Sequence, residues 1–172
     1  MFDRIGEGDQ IIAFFPCVRF SNQIYLHFQG KAKQFKNWSE KDKLENGIRL
    51  HNELHEMYLL ISKLACICLE EKIPLIIENP YSQEHYLTRY WGIQPKVIDY
   101  DRRDRGDYFK KPTQYWFFKR KPSNNLILEI YGNPGETKRI MARVEDGGVN
   151  NKVERSMISP LYANRFIREF II

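Results

Sequence analysis

A single helical stripe limits the fold of this 172-residue chain more than any other feature of its sequence. Its apolar residues recur at alternating steps of four and three, the spacing that places side chains on one face of a helix. They are Leu50, Leu54, Met57, Ile61, Leu64 and Cys68. The helix is expected to begin at Ser39, whose hydroxyl suits an N-cap. It is expected to end near Lys72, because the residue before Pro74 is pushed out of helical backbone.

Short apolar runs lie on either side of this helix. Residues 10–15 and 75–77 are rich in β-branched and aromatic side chains without alternation, which predicts strands buried on both faces. The order strand, helix, strand predicts a βαβ unit with parallel strands. The further predicted elements are a small helix at 83–90, strands at 97–98, 114–118 and 126–131, a flexible loop or insert at 132–155, and a helix that starts at Ser159-Pro160.

These elements predict one α/β domain over residues 1–172, with helices layered on both faces of a mostly parallel sheet. Hydrophobic residues make up 42% of the chain and charged residues 28%, a composition typical of a packed globular domain. A sheet this small leaves an edge strand exposed, and exposed edges need to be covered. A second copy of this chain, in a homodimer, or a different second subunit is therefore an expected partner.

Membrane and secretory classes are not indicated by the sequence. No apolar run approaches the ~20 residues that span a bilayer, and residues 1–4 do not lead into the apolar core of a secretion signal. The three cysteines are an odd number, and Cys66 and Cys68 are too close for an easy disulfide bridge. We therefore expect a reduced, cytoplasmic protein with no membrane partner. Its net charge of +5 permits a polyanionic partner.

Two reactive side chains directly follow the first two predicted strands. Cys17 comes after residues 10–15, and Glu78 comes after residues 75–77. Ligands of open α/β sheets gather at the carboxyl ends of strands, so neighbouring strands would bring both residues to one crevice. A cysteine thiolate is a strong nucleophile, and the positive charge of Arg19 would favour it. Desolvation at a strand end would raise the pKa of Glu78 and suit its carboxyl to proton donation.

No metal site is predicted from the cysteines and histidines. Cys66 and Cys68, two positions apart on the long helix, point away from each other and so cannot both ligate one ion. His51 and His55 lie four apart on a neighbouring face of the same helix. Core packing and a solvated helix surface account for these four residues.

The order of these motifs resembles that of DNA (cytosine-5) methyltransferases, in particular the compact phage and prophage proteins of this type. The run Phe-Pro-Cys-x-x-Phe-Ser at 15–21 follows a strand, a long helix comes next, and the following strand ends in Glu-Asn-Pro at 78–80. The resemblance implies a partial Rossmann-like methyltransferase sheet, with DNA as the partner. It also implies that Cys17 attacks carbon 6 of a flipped-out cytosine and that Glu78 contacts N3. Carbon 5 then receives a methyl group from the cofactor S-adenosylmethionine.

Weaker parallels extend the resemblance towards the C-terminus. Lys111-Pro112-Thr113 resembles the Lys-x-Thr element of the phage-type proteins, and residues 156–160 resemble their C-terminal motif. By the same resemblance, Ser21 and Asn79 hold the loops that carry Cys17 and Glu78. The predicted substrate-binding residues are Arg19, Ser21, Asn79, Lys111 and Thr113.

One departure from the family concerns the cofactor. Its members carry a Gly-rich turn after a first strand and an acidic residue after a second strand, both before the Pro-Cys motif. Here only 16 residues precede Cys17, and Gly6-Glu7-Gly8 follows no strand. The sequence therefore predicts a truncated or split methyltransferase that lacks the cofactor-binding half, or a descendant that has lost methyl transfer.

Two alternative functions stay open. Asn79-Pro80-Tyr81 resembles the Asn-Pro-Pro-Tyr motif of amino-methyltransferases, in which carbonyl acceptors bind an exocyclic amine and the aromatic ring stacks on the base. The other alternative is a catalytically inactive nucleic-acid-binding or protein-interaction module of phage origin.

The densest basic stretch of the chain predicts contacts to nucleic acid. Its predicted phosphate contacts are Arg102, Arg103, Arg105 and Lys110, with Tyr108, Phe109 and Tyr115 available for stacking on bases. Such a strip would lie beside the crevice that holds Cys17 and Glu78. Its binding would weaken steeply with salt.

Overall fold

The computed structural model describes residues 5–6, 8–21, 24–122 and 157–172. It has four strands: β1 (Ile11–Phe14), β2 (Leu75–Pro80), β3 (Val97–Asp99) and β4 (Thr113–Phe118). Its α-helices are α1 (Tyr25–Phe28), α2 (Glu40–Glu70), α3 (Tyr86–Tyr90) and α4 (Pro160–Phe170). Short 3₁₀ helices cover Cys17–Arg19, Lys33–Phe35 and Arg102–Arg105. The strand predicted at 126–131 and the loop predicted at 132–155 lie outside the described residues.

The four strands form one open, mixed sheet in the order β1-β2-β4-β3. β1 and β2 are parallel neighbours, as the βαβ pattern predicts, with Phe14 opposite Glu78. β4 is antiparallel to both β2 and β3, so the prediction of a mostly parallel sheet is wrong. The reason is the connection from β3 to β4, which carries only the short turn Arg102–Arg105. A chain that returns at the same edge without a helical crossover enters the sheet antiparallel.

The long helix α2 forms where the sequence predicts it. The Ser39 hydroxyl accepts a hydrogen bond from the Asp42 backbone N–H at 3.1 Å. The Asp42 carboxylate accepts one from the Ser39 backbone N–H at 3.1 Å, which completes a capping box. The helix ends at Glu70, two residues before the predicted end. In the described ranges no helix is both long and apolar enough to cross a membrane.

Helices cover both faces of the sheet, and each face has its own core. Side chains of a strand alternate between faces, so Ile77 points to the α2 face and Ile76 to the α4 face. The α2-face core consists of Phe20, Ile61, Ala65, Cys68, Leu75, Ile77, Leu87, Trp91, Trp116 and Phe118. The α4-face core is smaller and consists of Ile76, Tyr115, Phe117 and Phe170, with Val97, Phe166 and Ile171 packed against it.

The first strand differs from its prediction. A strand buried on both faces was expected, but Ile11, Ile12 and Ala13 are only half-buried and Phe14 is 61% exposed. The cause is its position at the end of the sheet, since no strand among the described residues pairs with its outer side. β2 also differs, because it continues through Glu78 to Pro80, and these residues are therefore held by ladder hydrogen bonds.

Candidate functional site

Cys17 and Glu78 lie at one edge of the sheet. β1, β2 and β3 run in the same direction, so their carboxyl ends share this edge. Glu78 is opposite Phe14, and Cys17 follows Phe14 by three residues. The structure thus brings the two predicted catalytic residues to neighbouring strand ends, where ligands of open α/β sheets bind.

The Glu78 side chain lines a pocket on the α4 face. The pocket has a volume of about 580 Å³, and its charged side chains are Glu78, Lys111 and Arg102. The rest of its lining comes from Ile12, Phe14, Tyr115, Ile158, Tyr162, Ala163, Phe166, Ile167 and Ile171. Burial raises the pKa of the Glu78 carboxyl, although the positive charges of Lys111 and Arg102 oppose the shift. Burial therefore favours the protonated form of this carboxyl, the form that can donate a proton.

The predicted Lys-x-Thr element lies beside Glu78. Thr113 is opposite Pro80 in the antiparallel ladder, which places it two residues from Glu78 along β2. Its hydroxyl donates a hydrogen bond to the Lys111 carbonyl oxygen at 2.9 Å and is buried. Thr113 therefore fixes the backbone from which Lys111 reaches the pocket, while Lys111 supplies the charge.

Cys17 begins a tight turn that contacts α2. Its carbonyl oxygen accepts hydrogen bonds from the backbone N–H groups of Phe20 at 3.0 Å and Ser21 at 2.9 Å. Its side chain is partly exposed and is not among those that line the pocket. The Arg19 guanidinium is bound by the Glu53 carboxylate of α2. The charge of Arg19 is therefore paired within the protein.

Asn79 connects the two strand ends. Its side-chain amide donates a hydrogen bond to the Phe15 carbonyl oxygen at 3.0 Å, and the whole residue is buried. Phe15 stands two residues before Cys17, so this contact ties the end of β2 to the chain that carries the thiol. A loop-holding role, which the resemblance implies for Asn79, needs such a contact.

A buried polar network borders the pocket, and sequence reasoning missed it. The Tyr162 hydroxyl donates to the Asp99 carboxylate at 2.6 Å, and the Tyr115 hydroxyl lies 2.5 Å from that of Tyr162. Asp99 also pairs with Arg105 at 2.7 Å and with Arg165 at 3.3 Å. The one sequence signal for Asp99 is that it directly follows the apolar pair Val97-Ile98, as Glu78 follows the apolar run 75–77.

The four predicted phosphate contacts do not form one surface strip. Arg102 is buried in an ion pair with Asp107, with its guanidinium 4.2 Å from the centre of the Tyr162 ring. It is therefore a pocket wall and not a surface contact. Arg103 is paired with Asp101 at 2.5 Å, and Arg105 is paired with Asp99. Lys110 is exposed.

Not all of the residues predicted to stack on bases are exposed at the surface. Phe109 and Tyr115 are both buried, and Tyr115 is part of the lining of the Glu78 pocket and not of a surface strip. Tyr108 is half-buried. Other aromatic side chains are exposed at this end of the sheet, and the local sequence pattern does not distinguish them from core residues.

Neither metal coordination nor known relatives narrow the function further. The described ranges contain no group of three or more histidine, cysteine, aspartate or glutamate side chains placed to hold a metal ion. Comparisons with protein families, with curated proteins and with solved structures find no match to this chain. The function is therefore inferred from the geometry of the site.

Proposed function

We propose that this chain carries the base-binding and nucleophilic half of a DNA cytosine-5 methyltransferase. Cys17 is the nucleophile that adds to carbon 6 of an extrahelical cytosine, and Glu78 is the acid that acts at N3. Lys111 and Arg102 line the same pocket and provide positive charge beside the bound base. Asn79 and Thr113 hold the backbone segments on which these groups stand.

The single observation that carries the proposal is the state of Glu78. Its carboxyl has a raised pKa because it is buried in the pocket, at the strand end next to the Cys17 turn. N3 of cytosine has a lone pair that accepts a hydrogen bond, so only a protonated carboxyl can donate to it. Burial of a carboxyl is costly, and proton donation to a bound base gives the burial of Glu78 a use.

The proposal assigns the two groups to different atoms of the base. Carbon 6 and N3 are opposite each other across the six-membered ring of cytosine, and a thiolate adds to carbon 6 from above the plane of the ring. The base therefore binds with N3 at Glu78 in the α4-face pocket and with one face of carbon 6 towards the Cys17 turn.

The addition step balances with these two side chains alone. The Cys17 thiolate forms a bond to carbon 6, and the electron pair of the 5,6 double bond moves through carbons 5 and 4 to N3. Glu78 gives its proton to N3, which leaves a neutral enamine with a nucleophilic carbon 5. Proton donation by a positioned acid in such a step is worth about 10²- to 10⁴-fold in rate.

A site for S-adenosylmethionine does not fit the residues described. The cofactor is a cation with a ribose diol, and both call for carboxylate partners. The pocket offers the cations Lys111 and Arg102 and a single carboxyl, Glu78, that burial favours in its neutral form. The proposal therefore covers the addition step alone and includes no step that uses a methyl donor.

The amino-methyltransferase alternative is disfavoured by the same region. It needs the carbonyl oxygens of Asn79 and Pro80 for an exocyclic amine. The Pro80 carbonyl already accepts a hydrogen bond from the Gln114 amide at 2.8 Å. Asn79 is fully buried, and its amide nitrogen donates to the Phe15 carbonyl oxygen, which fixes the side chain away from the open surface.

Covalent trapping on a modified base tests the proposal. The protein is incubated with DNA that contains 2-pyrimidinone, whose carbon 6 adds thiols without a methyl donor, or 5-fluorocytosine with and without S-adenosylmethionine. We expect an adduct of protein plus DNA by intact mass, absent in Cys17→Ser and retained in the matched variant Cys66→Ser, which changes an exposed cysteine of α2. Absence of any adduct while DNA still binds would favour the inactive binding module.

A further inference from the structure

Two tyrosines stand at the edge of the sheet that carries Cys17 and Glu78. Tyr81 follows β2 and Tyr100 follows β3, and these strands run in the same direction. Neither side chain lines the pocket of Glu78. The edge therefore continues beyond the catalytic pair into an aromatic surface that the addition step does not use.

The two rings support each other. Their centroids lie 5.5 Å apart with an interplanar angle of 89°, the edge-to-face geometry that aromatic pairs prefer. The backbone N–H of Tyr81 donates to the Pro112 carbonyl oxygen at 2.8 Å, which fixes the base of the pair. Tyr100 is nevertheless 65% exposed. A ring that is held on one side and open on the other is ready to stack on a flat ligand.

Positive charge lies near the loop that carries this ring. Lys110 is exposed and stands two residues before Pro112, whose carbonyl oxygen binds Tyr81. The hydrogen bond from Arg103 lowers the pKa of the Asp101 carboxyl, and the charge of Lys110 lowers it further. Lys110 therefore lies near the loop of Tyr100 and Asp101, and the carboxylate there is already paired with Arg103.

We propose that Tyr81, Tyr100 and Lys110 form a binding site for an unpaired nucleotide that neighbours the target base. The base stacks on Tyr100, and its phosphate lies at Lys110. The proposal rests on the proposed function for its kind of ligand and adds the form of that ligand: a single-stranded stretch of DNA. Stacking on an aromatic ring requires a free base face, which a paired and stacked duplex does not offer.

Equilibrium binding with the full chain tests the site. Fluorescence anisotropy is measured with a labelled single strand of about 12 nucleotides, within the range of single-strand sites, and with a duplex of the same sequence. We expect tighter binding to the single strand and a loss of about tenfold in Tyr100→Ala. Tyr100→Phe keeps the ring and should bind within about twofold of the wild type.

Tyr90→Ala is the matched control, because Tyr90 is 66% exposed and also contacts another tyrosine ring, that of Tyr86 at 5.8 Å. It should leave binding unchanged. Equal affinity of wild type and Tyr100→Ala, an equal loss in Tyr90→Ala, or no affinity of the wild type for single strands at low salt would each overturn the site. Trapping depends on Cys17 and stacking depends on Tyr100, so failure of trapping and failure of stacking are separate results.

Discussion

The two faces of the sheet are built on different principles. The α2 face is closed by a 31-residue helix over a continuous apolar core. The α4 face has a smaller core, a pocket of about 580 Å³ and a network of buried charges around Asp99. The comparison teaches that one face supplies stability through packing. On the other face a pocket takes the place of packed side chains, and polar contacts hold the wall of that pocket.

Removal of the Asp99 charge should have the largest effect on the α4 face. Asp99→Asn removes one of the two carboxylates that pair with buried Arg165, the other being that of Glu169 at 2.5 Å, and weakens the hydrogen bond from Tyr162. Loss of the sole partner of a buried charge costs about 3–5 kcal/mol in the free energy of unfolding, which is the upper bound here. Urea denaturation measures it. Asp101→Asn, whose partner Arg103 is more exposed, should cost less than about 1 kcal/mol, and equal costs would contradict the account.

Adjacent isoleucines of β2 compare the packing of the two faces directly. Ile77 and Ile76 are both fully buried, the first in the α2-face core and the second in the α4-face core. Truncation to alanine costs about 2–5 kcal/mol, with the smaller values where the surroundings can relax. We therefore expect Ile77→Ala to lose more stability than Ile76→Ala in urea denaturation. The reverse order would show that the α4 face is the better packed one.

A change of pH should alter the contributions of Glu78 and Asp42 to the free energy of unfolding in opposite directions. Burial raises the folded-state pKa of Glu78, so its contribution to stability is present at low pH and is lost as the pH rises through that pKa. Glu78→Gln should remove this loss of stability at high pH, because glutamine does not ionise. The hydrogen bonds from Ser39 lower the pKa of Asp42, so its contribution is lost as the pH falls.

Thermal melts from about pH 2 to about pH 8 measure both contributions. The midpoint difference between Glu78→Gln and wild type should grow towards high pH, in favour of the variant. The midpoint difference between Asp42→Asn and wild type should shrink towards low pH. A pH-independent offset for Glu78→Gln would mean that its carboxyl is not desolvated.

The α2 face could be predicted from the sequence because its signals are local. The stripe from Leu50 to Cys68, the Ser39 cap and the break before Pro74 each depend on residues a few positions apart, and the structure confirms all three. The final helix was also predicted, with the Ser159 hydroxyl accepting from the Tyr162 N–H at 3.0 Å. Local pattern thus predicts α2, α3 and α4 and the parallel pairing of β1 with β2, but not the short helix α1.

The α4 face could not be predicted, because its contacts join distant parts of the chain. Asp99 and Tyr162 are 63 positions apart, and no periodicity links them. The same holds for β4, whose insertion between β2 and β3 depends on how the chain turns after Asp99. The burial of Arg102 depends on Asp107, which looks like any solvated acid in a charged stretch. Cys17 and Glu78 were found only because each directly follows an apolar strand.

Hydrogen exchange at carbon 5 of cytosine tests the central claim most directly, since it needs no methyl donor. Addition of Cys17 to carbon 6, with proton donation from Glu78, makes carbon 5 basic enough to take a deuteron from D₂O. Reversal then returns cytosine with deuterium in place of H5, which mass spectrometry of the digested DNA detects. The account predicts exchange by the wild type, a strong reduction in Glu78→Gln and none in Cys17→Ser. No exchange by a wild-type protein that binds the DNA, or exchange that persists in Cys17→Ser, would contradict it.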